Sequence, residues 1–355
     1  MTKDPARSVG ILGAPEIPGL AFRLISVPRD YQNIVDIFTA SSAEDGLDYS
    51  DTVDDVAKYY SNLANCDPER DILFIEVKGK AVGYTRIWHM VRSDRPGYIF
   101  QYFIALVPEW RGRGIREAVL SWCEKRILEK SAGLPPESTK EILLWVYESE
   151  KEWRAVLDAS GYRVIRYGFR MVRPTLDKIP DCPLPPGIEI RPVTPDQHRK
   201  IWDADLLASN DGWLQLRGEE EWFENWTSSR LFQPDLWQVA WDGDRVAGAV
   251  QNYIDTEENA RFNRKRGWTE NIHVGKEWRG RGIAKALIAR SFAVLKEKGM
   301  TEAALGVDAM NPTGALHLYK KMGFVEEMRS FTYRKDVVGI RSGTALSGQT
   351  SPSTS

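Results

Sequence analysis

The heptapeptide EWRGRGI occurs twice, as Glu109-Trp110-Arg111-Gly112-Arg113-Gly114-Ile115 and again from Glu277 to Ile283. Two similar loops arise by chance. A repeated fold requires the flanking sequence to repeat as well, and here it does. At the same shift of 168 residues, GLAFRLISVP from Gly19 faces GIEIRPVTPD from Gly187, which sets Arg23 opposite Arg191. LFIEVKGKAVGYTRIW (Leu73 to Trp88) resembles WQVAWDGDRVAGAVQNYI (Trp237 to Ile254), and each reads as strand, charged glycine turn and strand. An apolar, β-branched or aromatic run precedes each heptapeptide, YIFQYFIALVP in one copy and WTENIHV in the other. Helical periodicity follows each, in REAVLSWCEKRILEK and AKALIARSFAVLKEKG.

Two units of this kind fit the length of 355 residues, each large enough for its own core. The stretch from Arg173 to Gly187 carries five prolines and predicts a stiff, exposed linker. We therefore place a first unit at residues 19–173, a linker at 174–187 and a second unit at 188–338. Residues 339–355, rich in Ser, Thr and Gly, are expected to form a disordered tail. With 48 basic and 50 acidic residues, the chain has no overall attraction to nucleic acid or to an anionic membrane. Cys66, Cys123 and Cys182 lie far apart and match no metal-ligand spacing. No apolar run reaches membrane-spanning length and no secretory leader is evident, so the expectation is a cytoplasmic protein without nucleic-acid or membrane partners. Oligomeric state is left open.

A strand ending at Val274, a glycine loop and a helix opening near Gly282 leave unpaired backbone N–H groups at a helix N-terminus, which suits an anion. Gly280 and Gly282 allow close approach of a pyrophosphate, Ala284 keeps the first turn small, and Arg279 and Arg281 add positive charge. The loop has neither the GxxxxGK[ST] of a nucleotide-triphosphate loop nor the GxGxxG of a dinucleotide fold.

Arg279, Gly282 and Ala284 resemble the R/Q-x-x-G-x-G/A coenzyme loop of the GCN5-related N-acetyltransferase (GNAT) superfamily, and NPTGALHLYKKMGF from Asn311 resembles that superfamily's last helix. The doubled layout is similar to mycothiol synthase-like members. The resemblance implies an α/β fold of two tandem GNAT-type domains, each a mixed, splayed sheet flanked by helices. It also implies acetyl-CoA as acyl donor, bound at Val274, Arg279, Gly280, Arg281, Gly282, Ile283, Ala284 and Asn311, with the N–H of Val274 on the thioester carbonyl. Asn311 before Pro312 is equally well explained as a helix N-cap.

The two copies differ where chemistry would need them alike. Arg116 stands at the position of Ala284, Tyr102 at that of Glu270, Leu157 at that of Tyr319 and Ser149 at that of Asn311. The expectation is a catalytic second unit and a degenerate first one, with Arg116 crowding the phosphate approach. Strand alternation places Glu270 on the face of Ile272 and Val274, away from His273, as a general base for the amine. Tyr319 is the candidate acid for the departing thiolate. The acceptor is expected to be a primary amine of a small molecule. Between Asp203 and Glu224, seven carboxylates and one arginine mix with Trp202, Trp213 and Trp222, a pattern that suits a cation. Two alternatives remain, a non-catalytic acyl-CoA-binding regulator and an acetyltransferase of proteins or peptides.

Overall fold

The computed structural model describes residues 8–337, so the expected tail at 339–355 lies outside the described residues. The first unit supplies β1 (Leu20–Leu24), α1 (Asp30–Asp45), α2 (Val53–Ser61), α3 (Pro68–Asp71), β2 (Ile72–Val77), β3 (Lys80–Val91), β4 (Gly97–Leu106), α4 (Ile115–Ala132), β5 (Thr139–Tyr147), α5 (Lys151–Ala159) and β6 (Arg163–Arg173). The second supplies β7 (Glu189–Ile190), α6 (His198–Ser209), α7 (Glu220–Ser228), β8 (Gln238–Asp242), β9 (Arg245–Tyr253), α8 (Thr256–Arg261), β10 (Arg266–Val274), α9 (Ile283–Glu297), β11 (Glu302–Asp308), α10 (Ala315–Lys321) and β12 (Val325–Asp336). The β2–β3 hairpin turns on Lys78 and Gly79, both at positive φ (51° and 79°), the geometry that follows the right-handed twist of its strands.

The two units share one sheet, in the order β1-β2-β3-β4-β5-β12-β6-β11-β10-β9-β8-β7. The last strand of each unit has crossed into the other. β12 lies between β5 and β6, while β6 pairs with β11 from Ala303↔Arg173 to Asp308↔Gly168. The sequence repeat thus divides the chain at the linker, while in space each half completes the other. The linker itself is not simply exposed. Leu176 is 2% exposed, its N–H donates to Thr301 O, and Ile179 and Leu184 pack on the second core.

Two parallel contacts position the sites. β4 runs beside β5 from Gly97 to Phe100, and β10 runs beside β11 from Arg266 to Trp268. Each pair then parts, leaving a wedge in the sheet at the strand end that leads into EWRGRGI. Helices α4 and α9 close one side through Val119, Cys123 and Ile127, and through Leu287, Ile288 and Phe292. Charge joins the halves. Arg230 binds Asp55 of the first unit and Asp255 of the second at 2.9 and 2.6 Å, and Arg264 of the second unit reaches Asp48 of the first at 2.8 Å. No helix among the described residues is long and apolar enough to cross a membrane.

Candidate active site

The second EWRGRGI loop has the backbone that an anion site needs. Gly280 and Gly282 sit at φ +77° and +88°, where a side chain is strained, and nothing lies within 4 Å of where a Cβ would stand. No acceptor among the described residues engages the N–H groups from Gly280 to Ala284. They open on a cavity of about 550 Å³ lined by Val274, Arg279, Gly280, Gly282, Ile283, Ala284, Asn311 and Tyr319. Seven of the eight residues expected to bind coenzyme line this one cavity. Arg281 does not; its guanidinium turns to Pro186 O at 3.5 Å. The side chain of Arg279 is also committed, to Val274 O at 3.0 Å and Asp211 at 2.7 Å, so it braces the loop against the strand end. Asn311 caps a turn, accepting from Thr313 N at 2.9 Å, and α10 begins later, behind Gly314. Asn311 is therefore not the helix cap that the Asn-Pro pair suggested.

A β-bulge changes the reading of β10. Glu270 faces Gln251 and His273 faces Ala249, so three residues on β10 span two on β9, with Asn271 at φ +48°. Gln251 and Ala249 share a face of the sheet. Glu270 therefore shares its face with His273, and the alternation that grouped Glu270 with Ile272 and Val274 is broken. His273 is held by Asp205, 3.1 Å from Nδ1, and Nε2 is buried without a partner among the described residues. Past the bulge, Gly275 N–H donates to Ala247 O, so the N–H of Val274 points the other way, into the wedge between β10 and β11.

Glu270 spans that wedge, accepting the N–H of Gly306 on β11 at 2.9 Å. Water-sized space reaches part of its surface, yet burial pushes its carboxyl from 4.5 to about 7 against the pull of that hydrogen bond. Tyr319 is 6% exposed on α10, and its hydroxyl makes no hydrogen bond among the described residues. Burial first, and then the charge of Glu270, push its pKa up, so it stays protonated at any working pH. One strand thus presents a near-neutral base on one face of the sheet and a free N–H at its edge, beside a protonated phenol.

Residues 198–324 match the profile of the Acetyltransferase (GNAT) family. The second unit is a GNAT acetyltransferase domain. A mycothiol acetyltransferase of Salinispora arenicola is 25% identical over 321 residues, which span 86% of this chain and 94% of that protein. A GCN5-related N-acetyltransferase from Sphaerobacter thermophilus is also 25% identical, with a TM-score of 0.69 over 95% of this chain and all of that one. A tandem GNAT protein from the clavulanic acid biosynthesis pathway, 16% identical with a TM-score of 0.62, covers 90% of this chain and shares the fold. The protein is thus an N-acetyltransferase, and acetyl-CoA is its acyl donor.

Against the GNAT site of the second unit, the first copy has the same loop and different contents. Gly112 and Gly114 take φ +65° and +78°, and Arg111 Nε binds Leu106 O at 3.1 Å as Arg279 binds Val274. Here, however, the Gly112 N–H meets the carboxylate of Glu152 at 3.4 Å. Arg116 does not crowd the phosphate approach; it folds inward, nearly covered, to pair with the same Glu152. In the wedge, the Tyr102 hydroxyl bonds that of Tyr162 at 2.8 Å, and Leu157 and Trp153 fill the remaining space. Val9, Ile11 and Ile17 pack on this core, and Pro15 lies 3.7 Å from where a Cβ on Gly114 would stand. The arginine of the heptapeptide is a shared brace, and an internal carboxylate occupies the anion position of the first copy.

The outer face of the GNAT domain meets the first unit around a second cavity, of about 700 Å³, that ends at Glu270. Trp202, Trp222, Trp226 and Trp237 line one side, and Tyr59, Arg86 and Trp88 of the first unit the other. The mixed acid and aromatic stretch 203–224 divides here. Trp202 and Trp222 line this cavity and Trp213 lies apart from it, against Arg166 at 5.0 Å, whereas Asp205, Asp211, Glu219, Glu220 and Glu224 bond to His273, Arg279, Arg217, Arg199 and Asn62. Of the carboxylates, only Glu270 lines the cavity among the described residues. The first unit's part in this wall was missed from sequence, because the repeat directs attention to each unit alone. The β3 run Arg86-Ile87-Trp88, polar and aromatic on one face, was the available signal.

Proposed function

We propose that the second unit transfers the acetyl group of acetyl-CoA to a primary amine of a small molecule, while the first unit does no chemistry and walls the acceptor cavity. The observation that carries this reading is Glu270, a carboxyl near pKa 7 on the strand that divides the loop cavity from the tryptophan-lined one. An amine arrives mostly as ammonium at neutral pH, and a base of that pKa takes a proton from it, directly or through one water. The amine lone pair then attacks the thioester carbon while the Val274 N–H stabilises the carbonyl oxygen. As the C–N bond forms and the C–S bond breaks, Tyr319 donates its proton to sulfur and is restored by a proton that the new amide nitrogen loses. The products are amide, thiol and one proton released through Glu270. Loop N–H groups from Gly280 to Ala284 serve the pyrophosphate, with Arg279 holding them in place.

Enclosure between the units favours a small acceptor over a protein segment, and a relative named for mycothiol rather than for a protein substrate supports the same choice. The test is acetyl-CoA-dependent thiol release with a panel of small primary amines beside a panel of peptides. Turnover confined to peptides would overturn the acceptor class. Turnover that survives Glu270→Gln unchanged from pH 6 to 9 would overturn the site.

A further inference from the structure

Arg86 of β3 stands out among the buried arginines. Arg92, Arg116 and Arg266 each hold a carboxylate, and Arg173 donates to the carbonyls of Met322 and Lys178. Arg86 has neither, although it is 8% exposed. Its guanidinium lies against the rings of Trp88, Tyr59, Tyr60 and Phe103, at 4.7, 4.8, 5.3 and 5.8 Å. Among the described residues it makes one hydrogen bond, from Nη2 to the Tyr59 hydroxyl at 3.3 Å, and its buried Nε has no partner. No carboxylate forms an ion pair with it among the described residues. A guanidinium cannot shed its proton to relieve this, so the charge stays, and ring faces compensate it only in part.

The charge lines the acceptor cavity, and among the described lining residues it is the only cation, as Glu270 is the only carboxylate. A second donor faces the same space. Gln251 is buried opposite Glu270; Asn271 Nδ2 donates to its Oε1 at 2.7 Å, which leaves Nε2 as an N–H pair unpartnered among the described residues. Unmet donors beside a cavity wait for acceptor atoms, and the strongest match for a planar guanidinium is an oxyanion.

We propose that the acceptor is an amphoteric molecule, a primary amine on a flat, apolar or aromatic body that also carries an oxyanion, a carboxylate, sulfonate or phosphate, and that Arg86 of the first unit binds that anion. The claim rests on acetyl transfer at Glu270 and goes beyond it by fixing the far end of the acceptor. The cationic acceptor suggested by the acidic stretch 203–224 is replaced. The amine meets the carboxylate of the second unit, the acid meets the arginine of the first, and the body lies along Trp202, Trp222 and Trp226. The first unit, without a coenzyme site of its own, would then set specificity.

The experiment compares 4-(2-aminoethyl)benzoate with 4-(2-aminoethyl)benzamide, which share amine and ring and differ in charge, using the full chain with saturating acetyl-CoA. The benzoate should exceed the benzamide in kcat/KM by roughly 30-fold or more, the loss met when one partner of a buried charge pair is removed. Arg86→Gln should erase that ratio, and Arg86→Lys should restore part of it. Equal rates for the two amines, or a ratio untouched by Arg86→Gln, would overturn the inference. Binding is read separately by quenching of tryptophan fluorescence with 4-methylbenzoate and 4-methylbenzamide. Saturable binding of the anion in the wild type, lost in Arg86→Gln, supports the anion site at Arg86 even if no amine is turned over, in which case the proposed transfer fails and, with it, the assignment of that anion to an acetyl acceptor. Absence of anion-selective binding in the wild type overturns it whatever the turnover.

Discussion

Glu270→Gln changes one proton-binding group and little else, since the amide oxygen can still accept the Gly306 N–H. In the folded protein the carboxyl titrates at about 7 against an ordinary 4.5, and each unit corresponds to 1.36 kcal/mol, so ionising Glu270 costs the fold roughly 3 kcal/mol. The folded-state pKa is raised. The stability tied to the protonated form is therefore complete below pH ~4.5 and lost as pH rises through about 7. Glutamine mimics the protonated form at every pH. Urea unfolding of both proteins at pH 5 and pH 8.5 should show the gap moving by up to about 3 kcal/mol in favour of the variant at the higher pH. Activity should move the opposite way. Wild-type kcat/KM should rise through pH 7 as the base ionises, and the variant should lose about 10²-fold or more at neutral pH, recovering in part as free amine accumulates. Stability curves that stay parallel across this range would refute the buried, near-neutral carboxyl. An unaltered rate profile would refute its use as a base.

Tyr319→Phe keeps the ring against Phe324 and deletes the proton donor, so acetyl-CoA affinity should hold while kcat falls by about 10²-fold; near-normal turnover would remove the acid role. A chain ending at residue 187 leaves β5 and β6 without the intervening β12 and should show no cooperative unfolding transition, whereas a cooperative melt would mean that the first unit is self-sufficient.

The repeat made the architecture legible because strand, turn and helix signals recurred at one spacing, and the glycines of the loop declared its backbone conformation in both copies. What alternation could not supply was the extra residue at Asn271, since a bulge carries no pattern until the partner strand is known, and it moved Glu270 to the face of His273. The crossing of β6 and β12 was equally hidden, because RVIRYGFRMVR and VEEMRSFTYRKD mix polar and apolar residues in a way that names no particular neighbour. Arg279 illustrates a different limit. Its type and position suggested a phosphate contact, but only the hydrogen bonds to Val274 and Asp211 reveal a brace, and Arg111 repeats the same bond to the strand end where an internal carboxylate meets the loop. The acceptor wall was out of reach for a plainer reason, as its two halves lie more than a hundred residues apart in sequence.

The central claim is that two identical loops serve one coenzyme, and calorimetric titration of acetyl-CoA into the full chain tests it most directly. The account requires one molecule per chain and loss of that site in Gly282→Asp, which places a side chain and a negative charge at φ +88° beside the phosphates, in a variant whose circular dichroism matches wild type. Two molecules per chain, or undiminished binding in folded Gly282→Asp, would contradict it.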